Sequence, residues 1–175
     1  RISSNSAAIN RQKIVHFKFD QKKYTGYEGD TLASALLAHG VHLVGRSFKY
    51  HRPRGIFGSG SEEPNALVRL ISDKSSEPNL RATQIEIYDG LIAESQNRFP
   101  SLKIDLLSIN NALRRFFPAG FYYKTFMWPT SFWMFYEKLI RKAAGLGKVS
   151  KKYHGPERYE HKYAHCDLLV VGSGA

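Results

Sequence analysis

Cysteine is nearly absent: the 175 residues contain one, Cys166. That excludes an intrachain disulfide framework and any site built from several thiolates, and it suits a reducing compartment such as the cytoplasm. Long apolar runs are missing too. No stretch of about 18 apolar residues occurs, so no membrane span is expected. The opening RISSNSAAIN lacks the apolar centre of a secretory signal. Acids are scarce, 15 against 26 lysines and arginines, for a net charge of +11. The surplus is concentrated in residues 10–54 and 138–162. Such clusters suit nucleic acid, an acidic partner subunit or a phosphate-bearing cofactor. No nucleic-acid-binding signature accompanies them, so nucleic acid is not an expected partner.

The most distinctive stretch present is Gly45 to Val68, GRSFKYHRPRGIFGSGSEEPNALV. Its first ten residues carry Arg46, Lys49, Arg52 and Arg54 with no acid among them, interleaved with Phe48 and Tyr50. Gly55, Gly58 and Gly60 follow, then Glu62 and Glu63. A loop of this composition grips an anion or builds an interface; the alternative is a solvated basic loop. Pro53 holds Arg52 and Arg54 in extended backbone, where alternate residues point the same way, so both can reach one phosphate or carboxylate. His51, between Tyr50 and Arg52, is positioned to donate to a flavin or phosphate, although a surface histidine without a role is the plainer expectation. No residue here is assigned a catalytic role.

Around this loop the chain punctuates clearly. KIVHFKF, residues 13–19, alternates as a half-buried strand, and Lys23–Tyr27 returns after a turn. GDTLASALLAHG is a compact helix that Asp30 can cap, with Leu32, Ala35 and Leu36 on one face and Gly40 at its end. Ala66–Ile71 reads as a strand, Ser75–Asn79 as a loop, and Thr83–Tyr88 as a strand. Asp89-Gly90 is a turn leading into Leu91–Ala93. This order is that of a β-grasp domain and resembles a plant-type [2Fe–2S] ferredoxin, whose cluster loop would correspond to Val41–Pro64. Such a cluster takes four cysteine thiolates, three of them in that loop. The loop has none, so no iron–sulfur cluster is expected.

From Phe99 the character changes. Leu106 to Phe116 suggests a short helix, and residues 116–136 hold 11 of the 23 aromatics. These bury against another domain or subunit, or form an ordinary aromatic core. Ser131 to Ala144 reads as an amphipathic helix with Phe132, Phe135, Tyr136, Leu139, Ile140 and Ala143 on one stripe. Leu146–Glu160 is a basic linker. His161, His165 and Cys166 provide too few ligands of the right kind for a metal site, and Cys166 has no base at a fixed spacing. Leu168–Val171 reads as a strand buried in a parallel sheet, and Gly172 and Gly174 begin the G-x-G turn of a dinucleotide site.

The blocks GDTLASALLAHGV, GRSFKYHRPRGI, EEPNALV, RATQIEIYDGLIAESQNRFPSL, PAGFYYKTFMWP, RKAAGLG and HCDLLVVGSGA together resemble the N-terminal part of the alpha subunits of heterotetrameric sarcosine oxidases. The resemblance runs from about Ile9 to Ala175. It implies an α+β chain in three parts. These are a cluster-free, 2Fe-2S-ferredoxin-like β-grasp domain at 9–95, a helical aromatic-rich connector and basic linker at 96–160, and the truncated start of a Rossmann-like FAD/NAD(P)-binding domain at 161–175. It also implies NAD on the alpha subunit with Gly172 and Gly174 at its phosphates, and FAD and FMN elsewhere in the complex. Tetrahydrofolate would bind the full-length subunit, and beta, gamma and delta subunits would be partners. The expected reaction is oxidation of sarcosine to glycine, with hydrogen peroxide and formaldehyde or methylenetetrahydrofolate as products; the chain alone would be an inactive fragment. Opine oxidases and cyanide-forming glycine dehydrogenases have a similar start, and a stand-alone basic β-grasp binding module is the remaining alternative.

Overall fold

Strand β1 (Asn10–Phe19) buries Val15, Phe17 and Phe19 and exposes the residues between them, as its alternation dictates. The computed structural model describes residues 9–72, 75–116, 129–143, 163 and 165–170. β1 turns back through Asp20 and Gln21, both at positive φ, into the antiparallel β2 (Lys22–Glu28). Asp20 also accepts hydrogen bonds from the backbone and hydroxyl of Ser95 and from Arg98. Those bonds tie the hairpin to the end of β7 (Ile92–Ser95), which lies parallel to β1.

Helix α1 (Leu32–Ala38) crosses the sheet with Leu32, Ala33, Ala35 and Leu36 buried. Its cap is Thr31, whose hydroxyl accepts from the Ser34 amide at 3.2 Å, and not Asp30 as the sequence suggests. Asp30 is buried and accepts from the Tyr27 amide and the Ser34 hydroxyl, both at 2.9 Å. It thus braces β2 against the helix. Gly40, at φ +70°, ends the turn that follows α1.

Two short strands, β3 (Gly45–Arg46) and β4 (Pro53–Arg54), form a separate hairpin. β5 (Leu67–Ile71) then enters the main sheet, pairing with β7 and with β6 (Ser76–Arg81). The order is β2-β1-β7-β5-β6, with the parallel β1/β7 pair inside, and the core lies between α1 and this sheet.

Two sequence expectations are corrected here. Residues 76–79 are strand rather than loop: Ser, Pro and Asn are turn formers, but β6 is an edge strand, where Pro78 breaks no ladder. Conversely, residues 83–88 form no strand. The Ile85 carbonyl in that segment, and the Ala82 carbonyl just before it, are used at the start of α1, where Leu32 N–H donates to Ile85 O and Ala33 N–H to Ala82 O. These are helix-terminal donors with no intrahelical acceptor.

Beyond the sheet, Leu106–Ser108 is a 3-10 turn, α2 (Ile109–Ala112) continues it, and α3 (Trp133–Ala143) lies within the expected helix. Leu168, Leu169 and Val170 form no strand and are 74–80% exposed. A strand of a parallel sheet needs hydrogen-bonded neighbours, and no described strand lies beside them. Most of the aromatic segment, residues 117–128, falls outside the described residues. So do the whole basic linker, Leu146–Glu160, and both Gly172 and Gly174.

Candidate functional site at the basic loop

The β3–β4 hairpin turns at Ser47–His51. Ser47 N–H donates to Arg52 O, His51 N–H donates to Ser47 O, and the Ser47 hydroxyl accepts from the Arg52 amide. His51 sits at φ +53°, a conformation a non-glycine residue adopts only where its surroundings hold it. Further on, Gly55 approaches the His42 carbonyl so closely that a Cβ there would lie 2.6 Å from the oxygen. Glycine is therefore required at that crossing.

This geometry splits the basic residues into two sets. Arg46 points inward, its side chain 9% exposed. Its guanidinium donates to the carbonyls of Leu102 (2.9 and 2.7 Å), His51 (2.8 Å) and Lys103 (3.4 Å). Its Nε lies 3.6 Å from Asp105 Oδ2. The same carboxylate oxygen accepts from His51 Nδ1 at 2.8 Å. Asp105 Oδ1 accepts from the amides of Phe99 (2.9 Å) and Leu107 (3.2 Å). Both ends of the connector's first turn thus meet at one fully buried carboxylate. The Asn97 side chain adds a bond to Arg46 O.

The second set faces outward. Arg52 is exposed, stacks at 4.9 Å over the Tyr50 ring and donates from Nε to Asn111 Oδ1 at 2.9 Å. Lys49 lies 5.0 Å from the same ring. Arg54 is exposed and bonds Asn65 Oδ1 at 2.9 Å. Arg52, Lys49 and Arg54 keep most of their surface for a partner.

Two expectations change as a result. His51 is not a surface histidine; it is 3% exposed, because Asp105 draws its ring inward. Its Nε2 is buried without a hydrogen-bond partner. Arg46 is not open to an anion or an interface, because the Leu102 and Lys103 carbonyls of its own connector take its donors. Sequence reasoning missed Asp105 altogether. Its one signal is that it is the only acid between Glu94 and Glu137.

Taken together, a five-stranded β-grasp sheet, a crossing helix and a long loop before β5 make residues 10–95 a ferredoxin-like domain. Residues 12–98 match the family described as a 2Fe-2S iron-sulfur cluster binding domain. This chain's residues do not fit the cluster. No cysteine lies within 12–98, and the described residues contain no cluster of three metal-ligating side chains.

The chain is similar to the N-terminal part of sarcosine oxidase subunit alpha. It is 57% identical to that of Rhizobium meliloti (strain 1021) over 167 residues, 95% of this chain and 17% of the relative. Against that of Corynebacterium sp. (strain P-1) it is 40% identical, over 98% of this chain and 13% of the relative. The chain therefore spans less than a fifth of the length of these relatives. Among solved structures, L-proline dehydrogenase from P. horikoshii overlaps 50% of this chain and 16% of its own. That overlap is at 31% identity and a TM-score of 0.39.

Proposed function

We propose that this chain is the start of the alpha subunit of a multi-subunit flavoenzyme that oxidises sarcosine to glycine. The other products are hydrogen peroxide and formaldehyde or methylenetetrahydrofolate. The observation that supports this reading is the 57% identity maintained over 95% of the chain. In this reading residues 9–95 are a scaffold domain without a redox group, 96–160 connect it, and 161–175 open a dinucleotide-binding domain. Gly172 and Gly174 would lie against the pyrophosphate of NAD, where a backbone without Cβ atoms allows close approach. FAD and FMN in the complex would supply the redox chemistry. The contribution of this chain is positional: Lys49, Tyr50, Arg52 and Arg54 present a cationic, aromatic surface to acidic or phosphate groups of a neighbouring domain or subunit. The beta, gamma and delta subunits would be the partners, tetrahydrofolate would bind the full-length subunit, and the complex would work in the cytoplasm. No described helix is long and apolar enough to cross a membrane.

The test is purification of the full-length protein with its co-encoded subunits, followed by oxygen electrode and peroxide assays. Peroxide released on adding sarcosine, with none from an opine or glycine, is the expected result. Activity on glycine or an opine alone would assign the chain to the related dehydrogenases. Recovery of the full-length protein without flavin or partners would favour a stand-alone binding module.

A further inference from the structure

The disagreement between a cluster-binding family and a cysteine-free loop leaves a physical question. A long glycine-bearing loop has many backbone N–H groups, and buried ones must be paired. In a ferredoxin the cluster is an anion whose sulfurs accept hydrogen bonds from the protein. Here the loop between α1 and β5 folds around a side chain instead. Glu63 is fully buried. Its Oε2 accepts from the Phe57 amide at 2.6 Å and from the Gly58 amide, and its Oε1 accepts from the Asn65 amide at 2.7 Å and the Ala66 amide at 3.1 Å. No ion pair neutralises it among the described residues. The backbone is pinned from outside as well, with Arg81 Nε donating to Glu63 O and the Thr83 hydroxyl donating to Gly60 O. Beside it Glu62, exposed, takes the Ser59 and Gly60 amides.

We propose that Glu63 is a built-in anion that orders this loop in place of an iron–sulfur cluster, filling from within the cradle of N–H groups that would otherwise need a bound anion. The loop then holds its shape without metal and leaves no room at that point for a cluster or a free anion. It also fixes Asn65, and through it Arg54, beside the outward-facing cations. Burial opposes ionisation of Glu63, but the N–H groups of Gly58, Asn65, Phe57 and Ala66 outweigh it and hold the carboxyl below the ordinary glutamate value of 4.5. Its stabilising contribution is therefore complete above pH 4.5 and is lost as the pH falls below that.

Amide hydrogen exchange of the chain, resolved to single residues, tests this on the wild type, Glu63→Gln and Glu63→Ala. In Glu63→Gln, one half of the carboxylate becomes an N–H donor facing N–H donors. Exchange at Phe57, Gly58, Asn65 and Ala66 should accelerate by roughly tenfold or more, the factor for losing one hydrogen bond to a charged group. The central amides of β1 should change much less. In Glu63→Ala the emptied cradle should take up formate. Protection at the four amides should return with sodium formate and not with sodium chloride at equal ionic strength. Wild-type exchange rates in Glu63→Gln, or no recovery of Glu63→Ala with formate, would overturn the proposal. Should both variants fail to fold, the wild type decides by acidification. Loss of protection at these four amides before β1 supports an ionised anchor, and loss only together with β1 rejects it.

Discussion

Replacing Asp105 with alanine lowers the melting temperature of the chain by roughly 6–20 °C, the range that a loss of about 3–5 kcal/mol gives in a protein of this size. Asp105 is fully buried and serves four donors: the His51 ring, the Phe99 and Leu107 amides and, at longer range, Arg46. Removing it leaves the His51 Nδ1–H and two buried amides without their acceptor and the Arg46 charge without its counter-ion, and an abandoned charge costs more than the pair contributes. Asparagine recovers little, because its NH2 adds a donor where all four neighbours already donate. Differential scanning calorimetry reads the shift. An unchanged melting temperature, with exchange protection lost only at residues 97–111, would make the connector an appendage rather than part of the folded unit.

Leu36→Ala carries a comparable effect, about 2–5 kcal/mol, from a different source. Leu36 is fully buried in the core between α1 and the sheet, and truncation leaves a cavity that the close-packed neighbours fill only partly. The informative comparison is between the two variants. The latch through Arg46 and Asp105 joins the connector to the β3–β4 hairpin, and that hairpin leads into the sheet. Asp105→Ala and Leu36→Ala should therefore lower one and the same transition. Urea unfolding followed by tryptophan fluorescence and by far-ultraviolet circular dichroism checks this, since both probes should give one midpoint in each variant. Separate midpoints in Leu36→Ala would show two independent units.

The parts of the fold that were legible in the sequence are those with local causes. Val15, Phe17 and Phe19 alternate within a single strand, and Leu32, Ala35 and Leu36 recur at helical spacing, so period alone finds them. Strand β6 was hidden because Ser76, Pro78 and Asn79 prefer turns, and only pairing with β5 overrides that preference. The segment 83–88 has strand-like isoleucines, yet its Ile85 carbonyl serves the first amide of α1. The candidate site was legible as a location and not as a mechanism. The basic loop stands out by composition, but what separates Arg46 from Arg52 is Asp105, and His51 meets that carboxylate across 54 residues of sequence. A contact of that separation leaves no local pattern. Glu63 was visible as one of an acidic pair; its burial was not, because a lone glutamate beside glycines reads as solvated until the N–H groups around it are placed.

The most direct measurement of the role given to the outward-facing loop is the double substitution Arg52→Ala/Arg54→Ala, made in the full-length protein and in this chain alone. Both side chains are exposed, and their bonds to Asn111 and Asn65 are surface contacts. The isolated chain should therefore lose less than about 1 kcal/mol per side chain in thermal unfolding. On the proposed reading each guanidinium meets an acidic or phosphate group in the complex, and each lost contact should cost about 1.5–3 kcal/mol. Subunit association, read by analytical ultracentrifugation, and flavin content, read by absorbance, should both fall. Full assembly with normal flavin content in the double variant would contradict the account and return the loop to a solvated basic surface.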